Sequence, residues 1–137
     1  MDKLPTIPFI FPLVSKENET GVLTVFESKV LPGFAIQRSF WIMQVPKGEK
    51  RGVHAHKKEN QVLICLKNSV SVHLENSKGE IFQFILDSPE LALFLPPNVW
   101  SEVTFGEDAV LLVLADRKFE EDDYIRDKEV FRKINGR

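Results

Sequence analysis

The sequence is notable first for what it has little of. It holds one cysteine, Cys65, so it cannot form an internal disulfide, and the thiol lies in an apolar run typical of a buried structural residue. The net charge is −2, which gives no basic bias toward nucleic acid. The N-terminal segment is apolar but is interrupted by three prolines within twelve residues, which favours neither a signal peptide nor a membrane span. We therefore expect a cytoplasmic protein with no nucleic-acid or membrane partner.

Alternating apolar residues predict strands along most of the chain. Val70, Val72 and Leu74 share one face of a predicted strand, and the polar residues between them take the other. Further strand-like segments, bounded by turn-forming residues, are residues 34–45, 62–66, 81–86, 91–95, 99–105 and 109–115. A length of 137 residues suits one domain, so we predict a single all-β domain over residues 1–137, a jelly-roll β-barrel.

The C-terminal segment has a different pattern. Ile125, Val130, Phe131 and Ile134 approximate a helical stripe, and Asp127 is a candidate N-cap. This pattern predicts a short C-terminal helix on the barrel. Asp122, Asp123 and Arg126, just before the predicted helix, are expected to tie this segment to the barrel.

The segment RGVHAHKKENQVLICL contains two of the three histidines of the chain, His54 and His56. Two residues apart on a strand, they project from the same face. Facing into a barrel, they would share a cavity. The alternative is a solvent-exposed polar strand face. The nearby Arg51 and the apolar strand that follows favour a functional site.

A histidine pair of this spacing often binds a metal, but the other ligands are missing here. Asn60 and Gln61 stand where a carboxylate ligand would be expected, and strand alternation would place Glu59 on the opposite face. The later strand at 99–105 has no histidine. We therefore predict no metal and no cofactor. Two imidazoles without a metal are suited to proton transfer near neutral pH, and Arg51 could hold an anionic group such as phosphate.

Trp100 follows a proline-rich turn at the predicted barrel rim. Its indole could stack on a base or a sugar of a bound ligand, while core packing or a dimer contact are the alternatives. The apolar N-terminal segment could cross to a partner subunit.

These residues resemble the signature of the nucleotide-sugar 3,4-ketoisomerases, small cupin enzymes that act on dTDP-4-oxo-6-deoxy-D-glucose. The segments VPKGEKRG, LPPNVWSEVTF and AVLLVLADRKFEEDDYIRDKEVF are also similar, so the resemblance covers about residues 20–132. It implies a homodimer of jelly-roll subunits that moves the ketone from C4 to C3 without a metal, giving a dTDP-3-oxo-6-deoxyhexose for bacterial surface glycans.

By the same resemblance, the catalytic pair is His54 and His56, and the substrate-binding residues include Arg51, Arg38 and Gln61. One departure concerns tyrosine. The family usually carries tyrosines in the strand before the pair, whereas this chain reads IQRSFWIMQV there and has its single tyrosine, Tyr124, near the C-terminus. Another group must then polarise the substrate oxygen.

Three other functions remain open at the level of the sequence. A 3,5-epimerase of the same substrate would be longer and would rely on a His–Asp pair and a tyrosine, neither of which we find in this sequence. A non-catalytic nucleotide-sugar-binding cupin would need no acid–base residue. A metal-dependent cupin would need the missing ligands.

Overall fold

The computed structural model describes residues 3–137 of the chain. Its strands, in chain order, are β1 Phe9–Pro12, β2 Val14–Asn18, β3 Gly21–Val25, β4 Arg38–Ile42, β5 Lys50–His56, β6 Gln61–Lys67, β7 Val70–Asn76, β8 Ile81–Leu86, β9 Leu91–Leu95, β10 Val99–Phe105, β11 Val110–Ala115 and β12 Tyr124–Ile125. Single 3₁₀ turns span Ser28–Val30 and Glu121–Asp123, and the helix α1 spans Lys128–Ile134. No helix among residues 3–137 is long and apolar enough to cross a membrane.

Two five-stranded antiparallel sheets form the barrel. One has the strand order β1-β9-β6-β11-β4 and the other β12-β5-β10-β7-β8. Their inner faces share a core built from alternate residues of facing strands, including Leu63, Val72, Leu74, Leu111 and Val113. Apart from the β7–β8 hairpin, paired strands of these two sheets are not consecutive in sequence, as in a jelly roll. The predicted all-β jelly roll with a short C-terminal helix is confirmed.

A second apolar cluster explains why the segment 62–66 is apolar without alternation. Leu63 and Cys65 face the barrel interior, whereas Val62 and Ile64 pack on the outer face of β6 against Phe34 and neighbouring residues. A strand covered on both faces has no polar side. The thiol of Cys65 is fully buried, as expected from its apolar neighbours, and burial raises its pKa.

The C-terminal segment closes one side of the second sheet. β12 pairs with β5, with Tyr124 opposite His56 and Ile125 opposite Ala55. The predicted cap is present, because the Asp127 side chain accepts hydrogen bonds from the first amides of α1. Only part of the predicted helical stripe is buried: Phe131 packs into the protein, but Val130 and Ile134 remain exposed. The helix is two turns long, so one large apolar residue suffices to anchor it.

Two features of the N-terminal half differ from the sequence prediction. The strand predicted over residues 34–45 is only β4, Arg38–Ile42, and the chain leaves the sheet before Gln44, which has a positive φ. The hairpin β2–β3 was not predicted, and it forms a separate two-stranded sheet. The preceding strand β1 pairs with β9 of its own chain.

Candidate active site

A cavity of about 420 Å³ lies between the two sheets, within the size range of small-ligand sites. We call it the site cavity. Apolar residues of both sheets line most of it. The polar side chains that line it are Arg51, His54, Gln61, Ser101, Tyr124 and Arg126. An apolar chamber with a few polar groups can hold a small polar molecule in one orientation.

His54 presents its imidazole to the site cavity from β5. Its ring meets the ring of His56 edge to face, with 4.9 Å between the centroids. Within residues 3–137, no hydrogen bond occupies either nitrogen of His54. Burial, reinforced by the charges of His56, Arg126 and Arg38, lowers the pKa of His54 to about 3. His54 is therefore a neutral imidazole near pH 7, free to accept a proton from a bound molecule.

His56 has quite different surroundings, although it projects from the same face of β5. It is only 4% exposed, and it does not line the site cavity. Its Nδ1 lies 3.0 Å from Oδ2 of Asp123, and its Nε2 lies 3.2 Å from Nε2 of Gln61. Both ring nitrogens are thus engaged by protein groups. The predicted pair is brought together, but only His54 offers a free nitrogen to a ligand.

The structure corrects the predicted position of Glu59. We expected it on the opposite face, but β5 ends at His56 and residues 57–60 turn, so strand alternation does not apply. The buried Glu59 carboxylate lies 3.4 Å from Nε2 of His56 and accepts a hydrogen bond of 2.6 Å from Gln61. Among residues 3–137 there is nevertheless no group of three or more histidines, cysteines or acids arranged to hold a metal.

Arg38, a predicted substrate-binding residue, does not line the site cavity. Its guanidinium pairs with both oxygens of Glu59 at 3.2 Å and remains partly exposed. It supplies the counter-charge that the buried Glu59 carboxylate needs. The arginines that do reach the cavity are the exposed residues Arg51, as predicted, and Arg126, which the sequence analysis assigned to tail anchoring.

Tyr124 is the site residue that sequence reasoning missed. The pairing of β12 with β5 carries it back to the histidines, and its ring centroid lies 4.9 Å from that of His54 and 4.4 Å from that of His56. Its hydroxyl lies 3.4 Å from Nη2 of Arg38. The one available signal for Tyr124 was that it lies, with Asp123, a few residues before the predicted helix. A strand of two residues is too short to show periodicity.

Trp100 does not reach the site cavity. Its neighbour Ser101 faces inward, so alternation turns the indole outward, where it is 2% exposed and packs against Phe131 of α1. The indole N–H donates to Glu102. Trp100 therefore packs in the core, which was the alternative to the predicted ligand contact.

A jelly-roll barrel of the cupin type, with acid–base side chains facing an internal chamber, is the class that this fold and site define. The chain belongs to the FdtA family, described as WxcM-like, C-terminal, whose sequence model matches residues 6–136.

Three relatives show how similar the chain is to characterised proteins. It is 41% identical over 119 residues to the TDP-4-oxo-6-deoxy-alpha-D-glucose-3,4-oxoisomerase of Aneurinibacillus thermoaerophilus, covering 85% of this chain and 84% of that protein. The crystal structure of QdtA, a sugar 3,4-ketoisomerase from Thermoanaerobacterium thermosaccharolyticum in complex with TDP, superposes with a TM-score of 0.88 at 36% identity, covering 94% of each chain. The WlaRB TDP-quinovose 3,4-ketoisomerase of Campylobacter jejuni superposes with a TM-score of 0.86 at 31% identity, covering 94% of this chain and 99% of the other.

Proposed function

We propose that the chain is a TDP-sugar 3,4-ketoisomerase that moves the ketone of dTDP-4-oxo-6-deoxy-D-glucose from C4 to C3. The observation that carries this proposal is His54, a neutral imidazole with no hydrogen-bond partner among the described residues, set in the wall of a sugar-sized cavity. The 41% identity to a protein of that activity supports the same substrate. The product would be a dTDP-3-oxo-6-deoxyhexose for surface-glycan synthesis in the cytoplasm.

The proposed chemistry follows from the acidity of a proton beside a ketone. His54 removes the hydrogen at C3, and the negative charge collects on the C4 oxygen of an enediol intermediate. The same imidazole then returns its proton to C4, and the C4 oxygen gains a proton in place of the one that the C3 hydroxyl loses, which leaves the ketone at C3. Arg51 and Arg126, exposed at the mouth of the site cavity, are placed to bind the diphosphate outside it. Gln61 lies on the cavity wall and orients His56.

The direct test is incubation with dTDP-4-oxo-6-deoxy-glucose in heavy water, followed by NMR of the sugar. A ketoisomerase gives a product with the ketone at C3 and the label in the ring. A non-catalytic binding protein would leave the substrate unlabelled and unchanged, which would overturn the proposal.

A 3,5-epimerase is the second candidate, because the structure supplies two features that the sequence pattern did not reveal. His56 and Asp123 form a His–Asp pair at 3.0 Å, and Tyr124 contacts that histidine. The position of this pair behind the cavity wall weighs against the epimerase, because its histidine does not face the ligand. In the heavy-water experiment, an epimerase would label C3 and C5 and leave the ketone at C4.

The low pKa of His54 predicts how the reaction depends on pH. The neutral, reactive form predominates above pH 3, because burial first, and then the charges of His56, Arg126 and Arg38, lower the pKa of His54 against the opposing charge of Glu121. Because kcat/KM reports the free enzyme, it is expected to stay level as the pH falls from 8 to 5. The measurement is a pH profile of initial rates, and an acid limb centred near 6.5 would contradict the assigned environment of His54.

We also predict that activity survives exhaustive chelation. The reason is that, although the carboxylates of Glu59 and Asp123 contact His56, residues 3–137 hold no group of three or more histidines, cysteines or acids arranged to bind a metal. The check is turnover after dialysis against a strong chelator, together with elemental analysis. Stoichiometric metal in the purified protein, with activity lost on its removal, would contradict the prediction.

The protein is proposed to be a homodimer. The hairpin β2–β3 exposes Val14, Val22 and Leu23, and Trp41 on the edge strand β4 is 63% exposed. A second copy covering these side chains would remove this apolar surface from water. Sedimentation at micromolar concentration is expected to show twice the chain mass of 15.7 kDa, and Leu23→Lys is expected to favour the monomer. A wild-type monomer at that concentration would exclude the proposal.

A further inference from the structure

The proposed reaction needs two proton-carrying groups in the site cavity. One group must move a proton between two carbons, and the other must move a proton between two oxygens. His54 can serve the carbons. His56 is the obvious second group by sequence, but its two ring nitrogens face Asp123 and Gln61, and it does not line the cavity. The second group must therefore be sought among the other polar side chains of the wall.

Two residues with hydroxyl groups line the site cavity, Ser101 and Tyr124. The Ser101 hydroxyl lies within hydrogen-bond distance of two main-chain carbonyls, 2.7 Å from that of Gly52 and 3.1 Å from that of His54. Its single proton is therefore used within the protein. Among the residues that the structure describes, the phenol of Tyr124 has no hydrogen-bond acceptor. Its one hydrogen-bond partner among them is a donor, Nη2 of Arg38, at 3.4 Å. Its proton is free for a ligand.

Two guanidinium groups lie close to Tyr124. Nη2 of Arg38 is next to its oxygen, where an oriented donor can stabilise an oxyanion that develops during a reaction. The guanidinium of Arg126 lies 4.2 Å from the ring centroid and is itself paired with the carboxylate of Glu121. The same Nη2 of Arg38 also contacts both oxygens of Glu59, so this donor is held in place before any ligand binds.

We propose that Tyr124 is the second catalytic acid–base residue, and that His56 is a positioning residue beneath it. This inference rests on the proposed ketoisomerase function. It assigns the oxygen-bound protons of the reaction to the phenol and the carbon-bound proton to His54.

The proposed steps balance. His54 takes the proton from C3, the C3–H electron pair forms the C3=C4 bond, and the C4=O π pair moves to the oxygen, which takes the phenolic proton. The enediol is now bound between an imidazolium and a phenolate. In the second half, the phenolate removes the proton of the C3 hydroxyl, C3=O forms, and the C3=C4 pair takes the proton of the imidazolium at C4. Tyrosine and histidine both return to their starting states.

The test is Tyr124→Phe, which keeps the ring and its contacts with both histidines and removes only the hydroxyl. We expect kcat for dTDP-4-oxo-6-deoxy-glucose to fall by about 10²–10⁴-fold, the usual contribution of one acid–base group, with KM changed less than about threefold. Binding of TDP, measured by calorimetry, should be unchanged. Deuterium entry at C3 should slow in parallel with product formation, because the enediol cannot form without a proton for its oxygen.

Two further variants complete the experiment. Ser71→Ala removes an exposed hydroxyl from β7, remote from the cavity, and should match the wild type. His56→Gln should lose less activity than Tyr124→Phe, because its role is to position other groups. Near wild-type turnover by Tyr124→Phe, or a larger loss in His56→Gln with TDP binding intact, would overturn the assignment. If wild-type protein does not act on the sugar at all, the proposed function itself fails and this inference falls with it.

Discussion

Replacing His54 with Asn is expected to lower kcat by about 10²-fold or more while leaving the fold and TDP affinity intact. Asn is smaller than His and polar, and His54 forms no hydrogen bond within residues 3–137 that the change would break. An amide cannot accept a proton near neutral pH, so the C3 proton stays on the sugar. Solvent deuterium should then fail to enter at C3 of the remaining 4-oxo substrate, as measured by NMR.

His73→Asn provides the matched control for this variant. His73 lies on the outward face of β7, where its Nδ1 is 2.6 Å from the side-chain amide of Gln83, and it does not line the site cavity. The same substitution there should leave turnover unchanged. If His54→Asn isomerised the sugar at close to the wild-type rate, the role of His54 would be limited to binding or packing.

Much of the barrel is predictable from the sequence because its strands are amphipathic. In β7 the alternation of Val70, Val72 and Leu74 with polar residues matches the inner and outer faces of the sheet. The continuous apolar segment of β6 was also identified as a strand, since both of its faces are covered. The hairpin β2–β3 was not predicted. Its apolar residues are exposed, so apolar and polar residues do not alternate in it as they do in a strand with one buried face.

The candidate site was only half predictable, for a physical reason. His54, Arg51 and Gln61 belong to β5 and β6, where strand periodicity gives the direction of a side chain. Glu59 and Tyr124 reach the site through a turn and through a pairing over more than sixty residues of sequence. Neither a turn nor a long-range pairing has a local pattern. Under our proposal, Tyr124 from a distant segment takes the role of the tyrosine that the family usually carries in the strand before the histidines.

The environments of the two histidines differ because their partners come from different segments. Alternation places both imidazoles on one face, but Asp123 and Glu59 close around His56 alone. His54 is kept neutral by burial and, to a smaller extent, by nearby positive charge, and it faces the cavity. These environments are the basis for the proposal that His54 reacts and His56 positions its neighbours.

Asp123 is the residue on which this arrangement depends, and Asp123→Ala is expected to destabilise the protein by about 3 kcal/mol or more. Its buried carboxylate accepts hydrogen bonds from Nδ1 of His56 at 3.0 Å and from the amides of Lys58 and Glu59 at 2.8 and 3.2 Å. Each buried donor left without an acceptor costs about 1–3 kcal/mol. The two buried donors, of His56 and Glu59, and the part-buried amide of Lys58 together give about the stated total.

Urea unfolding of Asp123→Ala should therefore show a lower midpoint with little change in slope, and the melting temperature should fall by about 10 °C. Asp122→Ala is the control, since that neighbouring carboxylate is exposed and should change stability by less than about 0.5 kcal/mol. Because Asp123 also anchors β12 against β5, turnover should fall even where the variant is still folded, as Tyr124 would lose its fixed position. A variant as stable as the wild type would mean that pairing between β12 and β5, together with α1, holds the C-terminal segment without the carboxylate.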